Sequence, residues 1–336
     1  MTYYPTLLAK AFSVSLCAFA LAIVAPLNAT QVDENSALAT PESMAFVAQN
    51  VNESAENRAQ ALRFISQHPS QNSLITVARA LKDNNALVRE AAIEGATPYP
   101  LAHRYRMVSP LLDDQTPSVQ LAATVHLLKD FEQLQMGEQA VLRSHADKLI
   151  TKLSSATSYD QQLLLADVYR WSLRPESAQV IYQQLLSSKD KTITLFLNLS
   201  NNYYAQGDNN NALKVLEQGI AFDDANASIY YAKALTLVRL DNKMNAADSM
   251  DKAVQLAPQN AYYWYLNGVL QEPLDINASI HSFEQAYLIS GAPENLYAMC
   301  DIYIRNDHKN TEQCMTALTE VAPEEVISEL RNKQTL

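Results

Sequence analysis

Glycine is scarce in this sequence, with six in 336 residues and no two of them in a Gly-x-Gly. A phosphate-binding loop of the G-x-G-x-x-G or the G-x-x-x-x-G-K-[ST] kind therefore cannot be written anywhere along the chain. Nucleotide chemistry through such loops is excluded. An all-β protein would need turn glycines at short intervals, so the Ala-, Leu- and Gln-rich sequence predicts an all-α fold.

Catalytic and metal-binding motifs are also missing. The chain has three cysteines and six histidines, but no Cys-x-x-Cys, no H-E-x-x-H and no G-x-S-x-G. Zinc sites and serine-hydrolase sites are built from such spacings. The paired acids fall at turns and helix starts, where carboxylates are favoured by the helix amino terminus. We expect a protein that is not an enzyme and that has no metal and no cofactor.

Basic residues are fewer than acidic residues, with 25 Lys and Arg against 36 Asp and Glu. The net charge is −11, or −12 beyond residue 29, and no run of five like charges occurs. An acidic surface repels nucleic acid phosphates and anionic lipid. We therefore expect no nucleic acid partner.

Long apolar runs are absent except near the amino terminus. Lys10 precedes an apolar stretch over residues 11–25, and small residues end at Ala29. This pattern predicts a signal peptide over residues 1–29, cleaved near Thr30, and a periplasmic or secreted protein without a membrane span. A retained anchor, or lipidation at Cys17, is the alternative. Residues 30–44 are polar and are predicted to be disordered.

A short internal repeat follows. Asn57-Arg58-Ala59-Gln60-Ala61-Leu62 recurs at Val88 as Val-Arg-Glu-Ala-Ala-Ile and at Val119 as Val-Gln-Leu-Ala-Ala-Thr, which gives a 31-residue period. Leu-Lys-Asp and Leu-Asp-Asp precede the last two copies at the same spacing. A short acidic turn before an Ala-Ala helix indicates helical hairpins in close contact. Residues 45–154 resemble HEAT repeats, although Gln120 replaces the arginine in the third copy.

A second repeat has a 34-residue period. Small residues recur at this spacing on what would be the first helix of each hairpin: Ala166, Ser200, Ala234 and Gly268. Small residues recur again twelve positions later, at Ala178, Ala212 and Ala246. Residues 159–325 resemble tetratricopeptide repeats with a degenerate last repeat as a cap, followed by a tail at 326–336. Together the two repeats predict one continuous right-handed α-solenoid.

The order of the two repeats is similar to the carboxyl-terminal half of a family of periplasmic multihaem c-type cytochromes. The resemblance spans about residues 55–320. The chain has no Cys-x-x-Cys-His, so haem ligation does not carry over. The resemblance implies a scaffold that neighbours respiratory proteins.

Projection of the 34-residue register predicts a partner-binding concave face. Its residues are Asp167, Arg170, Trp171, Asn201, Tyr204, Tyr231, Arg239, Tyr262, Tyr265 and Glu272. Aromatic residues and arginine dominate binding hot spots. For Tyr231 and Tyr262, packing between repeats is an equal alternative. Asn201 stands at one position of the family's carboxylate clamp, but Leu163 and Leu197 occupy its neighbouring positions, which disfavours capture of a chain carboxylate.

We therefore interpret the chain as a non-catalytic adaptor that binds a protein or a peptide of unknown identity. The alternative is an accessory or assembly subunit of a respiratory multihaem cytochrome system, with a c-type cytochrome or its assembly factors as partner. Cys300 and Cys314 are fourteen residues apart in the last hairpin. A disulfide between them would staple the terminal repeat; a pair of buried thiols, or a metal or redox site, are the other possibilities.

Overall fold

A computed structural model describes residues 39–334, and these divide into two compact units whose boundary lies between Arg174 and Pro175. The described residues form helices and contain no strand, which confirms the all-α prediction. In the second unit, helices pack mainly on their neighbours along the sequence, whereas in the first unit they pack both on the next helix and on the one after it; both patterns are those of stacked α-solenoid hairpins. The predicted signal peptide, residues 1–29, lies outside the described residues.

The first unit consists of eight α-helices and two short 3-10 turns within residues 39–174. The helices are α1 (Pro41–Gln49), α2 (Ala55–Ser66), α3 (Gln71–Ala80), α4 (Ala86–Gly95), α5 (Leu101–Val108), α6 (Pro117–Leu128), α7 (Met136–Leu153) and α8 (Tyr159–Trp171). The 3-10 turns are Ser109–Asp113 and Phe131–Gln133. Side-chain caps from Ser54, Ser70 and Asn85 satisfy amide groups at the starts of α2, α3 and α4.

Buried ion pairs connect the turns of this unit. The pairs are Arg58 with Asp83 at 2.5 Å, Arg89 with Asp114 at 2.8 Å and Arg104 with Asp130 at 2.6 Å. In the first two pairs, the aspartate lies 25 residues beyond its arginine. Both members of these pairs therefore recur with the 31-residue period. We call the three pairs the arginine ladder.

Arg89 shows how the ladder is built. Its guanidinium donates to both carboxylate oxygens of Asp114 and to the backbone carbonyls of Asp83 and Asn84. Burial alone would raise the pKa of Asp114, but the hydrogen bond and the charge of Arg89 lower it below its ordinary value. At the next position of the repeat, Gln120 donates to the backbone carbonyl of Asp114 instead. The arginine that is lost there is replaced by a neutral hydrogen bond.

The second unit is a row of ten α-helices within residues 175–334. They are α9 (Pro175–Leu185), α10 (Ile193–Ala205), α11 (Asn209–Phe222), α12 (Ala227–Arg239), α13 (Lys243–Leu256), α14 (Ala261–Gln271), α15 (Ile276–Ser290), α16 (Pro293–Arg305), α17 (Thr311–Thr319) and α18 (Glu324–Gln334).

Caps and turns of the second unit follow the 34-residue period. Asn226 and Asn260, one period apart, cap α12 and α14, the first helices of their hairpins. Asp208 and Asn242 cap the second helices α11 and α13 at the same spacing, and Asp275 follows one position earlier than a full period. The shorter last step agrees with the one residue that the sequence loses near Pro273.

The small residues of the period lie at close helix contacts. Ala212, Ala234 and Ala246 are fully buried. A Cβ added at Gly268 would lie 3.0 Å from ring carbons of Phe283, and one at Gly219 would lie 2.6 Å from Ile229. These contacts are tighter than ordinary van der Waals packing, so the helices could not approach as they do with larger residues.

Three predicted boundaries differ from the structure. Helix α1 begins at Pro41, inside the segment 30–44 that the sequence predicts to be disordered, because Thr40 and Ser43 form a capping box and Ala45 and Ala48 are buried. The expected tail 326–336 is instead helical up to Gln334, because Ile327 and Leu330 pack into the core around α16 and α17.

The third difference concerns the first predicted tetratricopeptide hairpin. Its two helices, α8 and α9, fall on opposite sides of the boundary between the two compact units. The sequence predicts the change of repeat near residues 154–159 instead. None of the described helices is both long enough and apolar enough to cross a membrane.

Candidate functional site

Tyrosines and one arginine connect the first helices of three consecutive hairpins in the second unit. We call Tyr204, Tyr231, Arg239, Tyr262 and Tyr265 the tyrosine strip. Tyr204 comes from α10, Tyr231 and Arg239 from α12, and the other two from α14. All five belong to the predicted partner-binding face.

Arg239 stacks on Tyr204. The guanidinium carbon lies 3.7 Å from the centroid of the Tyr204 ring, and a hydrogen bond also joins the two side chains. Tyr204 keeps 38% of its surface exposed, and Arg239 is half-buried. Burial lowers the pKa of Arg239, and the tyrosines 204 and 231 partly offset that shift. The contact fixes the guanidinium beside an accessible aromatic face.

Tyr231 lies between two tyrosines of the next hairpin. Its ring stacks on Tyr263 with centroids 5.0 Å apart and meets the edge of Tyr262 at 6.2 Å. A hydrogen bond to Tyr262 and burial raise the pKa of Tyr231, burial being the larger cause. Tyr231 and Tyr262 therefore pack between hairpins, as one of the two alternatives predicts, and both remain partly exposed.

Tyr265 is anchored in the core at one end of the strip. Its ring meets Phe283 edge-on at 5.7 Å, and it packs against the cluster formed by α15 to α18. Burial raises its pKa, with further contributions from Tyr262, Asp301 and Tyr297. Because this ring supports the fold, its removal would not report on binding alone.

Glu272 is part of an ion-pair network rather than a free contact residue. Arg305 of α16 bonds both oxygens of Glu272 and also pairs with Asp301 at 2.8 Å. Burial alone would lower the pKa of Arg305, but the hydrogen bonds and charges of Glu272 and Asp301 have the larger combined effect and raise it. Asp301 itself is 9% exposed. The network ties α14 to α16.

The remaining residues of the predicted partner-binding face do not belong to the tyrosine strip. Asp167, Arg170 and Trp171 lie on α8 in the first unit, where Asp167 is buried and pairs with Arg170 at 3.5 Å. Lys129 lies 5.9 Å from the Trp171 ring centroid, so this tryptophan faces its own unit's helices. Asn201 is exposed on α10.

Cys300 and Cys314 are joined by a disulfide between α16 and α17, with their Cα atoms 5.5 Å apart. Both are buried in the core cluster of the last hairpins. Within residues 39–334, no group of three or more His, Cys, Asp or Glu side chains is arranged to hold a metal ion.

Sequence reasoning missed Arg305, Asp301 and Tyr297, which complete the end of the site. The 34-residue period did not mark these residues, because the turn near Pro273 is one residue shorter and shifts the register of the last repeat.

Comparison with known proteins adds one family match. Residues 227–260 match the tetratricopeptide repeat. The match covers α12 and α13, and therefore Tyr231 and Arg239 of the strip. No curated protein matches the sequence.

Several solved structures are similar in part. The crystal structure of MamA is 18% identical, covers 51% of this chain and 96% of its own, and has a TM-score of 0.41. MamA 41-end from Desulfovibrio magneticus RS-1 is 16% identical over 48% and 93% of the two chains, with a TM-score of 0.41. YrrB, described as a TPR protein with an unusual peptide-binding site, is 14% identical over 56% and 99%, with a TM-score of 0.45.

Proposed function

We propose that this chain is a non-catalytic interaction scaffold that binds a protein or peptide segment on the tyrosine strip. The observation that carries the proposal is the contiguous, partly exposed row of Tyr204, Arg239, Tyr231 and Tyr262 across three hairpins. The tyrosines give a large contact area with few rotatable bonds, and tyrosine and arginine are both enriched in binding hot spots. A tetratricopeptide repeat match within the same helices supports this use.

The strip is pre-organised. Tyr204, Tyr231, Arg239 and Tyr262 each contact a side chain of an adjacent hairpin, so little side-chain freedom remains to be lost on binding. An extended or helical segment of a partner could lie across the first helices, in the way that helical grooves receive peptides. This makes the strip a better binding surface than an equal number of isolated tyrosines.

The compartment we propose is the periplasm or the cell exterior. The signal-like residues 1–29 support it, and so does the Cys300–Cys314 disulfide, because disulfides persist in oxidising compartments. In the first unit, the 31-residue spacing of the arginine ladder supports our interpretation of residues 45–154 as HEAT-like repeats.

An accessory or assembly role in a multihaem cytochrome system is the second candidate. It rests on the order of a 31-residue repeat followed by a 34-residue repeat. Co-purification of a c-type cytochrome with the tagged chain would favour it over a general scaffold.

The test is capture of partners by the tagged chain from its native cell envelope, compared between wild type and Tyr204→Ala/Tyr262→Ala. We choose these two rings because Tyr265 supports the core. Val180→Ala/Leu288→Ala is the control, since both side chains are exposed in the second unit outside the strip. The proposal expects a partner that is lost with the strip variant and kept with the control. Equal capture by both variants, with unchanged circular dichroism, would refute it.

A further inference from the structure

The arginines of the second unit differ in how their charge is compensated. Arg305 lies between Glu272 and Asp301, and Arg331 is exposed. Arg239 is half-buried, yet none of the described residues places a carboxylate within 4 Å of its guanidinium. Its neighbours are the aromatic rings of Tyr204 and Tyr231 and the carboxyl-terminal end of α12.

The ring of Tyr204 covers one face of the guanidinium, and the hydrogen bond to Tyr204 uses one of its donors. The five N–H donors lie in its plane and form a fork that matches a carboxylate. The stacking on Tyr204 holds that plane in place without supplying a negative charge. The result is a positioned cation whose strongest type of partner is missing from the described part of the chain itself.

The position of Arg239 indicates where a carboxylate from a ligand would lie. Tyr204 of α10 stacks on it, and Tyr231 of its own helix lies near it and in turn contacts Tyr262 of α14. Aromatic surface therefore extends in both directions from the guanidinium. A ligand that contacts the rings on both sides passes over Arg239 rather than ending there.

We propose that Arg239 binds the carboxylate of an Asp or Glu side chain inside an extended partner segment that crosses the tyrosine strip. This inference rests on the proposed function. Residues 175–336 contain 20 acidic and 11 basic residues, so a run of acidic residues would be repelled. The segment that fits has one carboxylate between apolar or aromatic residues, which pack on the tyrosines.

The test is selection of random 12-residue peptides displayed on phage against the full-length protein. Wild type, Arg239→Gln, Arg331→Gln and Tyr204→Ala/Tyr262→Ala are used in parallel. Arg331→Gln removes one positive charge from the same unit at an exposed position, so it is matched to Arg239→Gln for net charge. Peptides from wild type and from Arg331→Gln should share one Asp or Glu at an internal position. Selection on Arg239→Gln should lose it.

Affinity measurements on a selected peptide then give the decisive numbers. Exchange of its acid for the amide and exchange of Arg239 for Gln should each weaken binding about tenfold, which corresponds to about 1.4 kcal/mol. The two changes together should cost no more than either alone, because they remove the same contact. Arg239→Lys should restore part of the affinity.

Three outcomes would overturn this inference. Peptides that need the tyrosines but show no acid preference would leave the proposed function intact and refute the carboxylate site. Peptides whose binding is lost on amidation of a terminal carboxylate would refute the internal side chain. Peptides that bind all variants equally, or no bound peptide at all, would refute the proposed function as well.

Discussion

Arginine has different surroundings in the arginine ladder of the first unit and in the tyrosine strip of the second. In residues 39–174 the guanidinium groups of Arg58, Arg89 and Arg104 are buried against aspartates. In residues 175–334 the first helices carry tyrosines instead, and Arg239 lies among them with no carboxylate from these described residues. A buried and paired arginine serves the fold, because its charge and donors are already used. A partly exposed arginine beside aromatic rings keeps its donors for a ligand.

The strongest test of this difference is Arg89→Met. The substitution leaves Asp114 buried without its partner, and we expect a loss of about 3–5 kcal/mol in unfolding free energy. Urea unfolding followed by circular dichroism measures it. Arg63→Met is the control, because the Arg63–Glu94 pair has side chains 48% and 59% exposed and should cost less than about 1 kcal/mol. Similar losses for both variants would show that burial does not determine how much an ion pair of the arginine ladder contributes to the unfolding free energy.

In the second unit, the covalent link should have the largest effect. Replacement of Cys300 and Cys314 by Ala opens a loop of fourteen residues and should cost about 3 kcal/mol. Wild type under a reducing agent should show the same loss. Hydrogen exchange should rise in α16 and α17 and stay unchanged in residues 39–174. Detection of two free thiols in the untreated protein would contradict the disulfide.

We also expect the stability of the first unit to depend more on acid pH than that of the second. The Nε2 atom of His126 is buried near Arg104 and Lys129, and none of the described residues hydrogen-bonds it. Burial, and then those two charges, lower its pKa from 6.5 to about 3. The unfolded chain therefore binds a proton more readily than the folded one below pH 6.5, so stability is full above that pH and falls toward pH 3.

At pH 5 this histidine should cost about 2 kcal/mol relative to pH 7. His126→Leu should remove that pH dependence in urea melts between pH 5 and pH 7. His281→Leu, at an exposed histidine of the second unit, should leave it unchanged. A His126→Leu variant with the wild-type pH slope would show that another group is responsible.

The smallest expected effect comes from a comparison of Arg239 with Arg305, two of the three arginines of the second unit. Arg305→Gln leaves the buried Asp301 without its charge partner, and we expect a loss of about 1–3 kcal/mol. Arg239→Gln removes only the contact with Tyr204 and should cost about 0.5–1 kcal/mol. Thermal melts of the two variants give the order. A larger loss for Arg239→Gln would make that residue structural and would weaken its assignment to a ligand.

Much of the second unit could be predicted from spacing. The recurrence of Ser200, Ala234 and Gly268 located the first helices, because only small residues fit where helices come close. Helical projection from those positions then indicated Tyr204, Tyr231 and Tyr262. Repeats make this possible, since one position observed several times carries the information that a single helix lacks.

Spacing could not show which polar residues were already paired. Glu272 has the same pattern whether it is free or bound to Arg305, and that arginine is 33 residues away in sequence. Asp167 was likewise projected to an open face but is buried. The sequence also missed the helix at residues 324–334, because its burial depends on two residues, Ile327 and Leu330, among many polar ones.

The arginine ladder has a consequence for the history of the chain. In its first two steps, each arginine reaches an aspartate 25 residues onward, and both members return with the next copy of the repeat. The other contacts of the two arginines differ, since Arg58 also donates to the carbonyl of Ala48 and Arg89 to those of Asp83 and Asn84. Duplication or deletion of one period in frame would therefore add or remove one Arg–Asp pair, while the backbone contacts of the arginine change with its position.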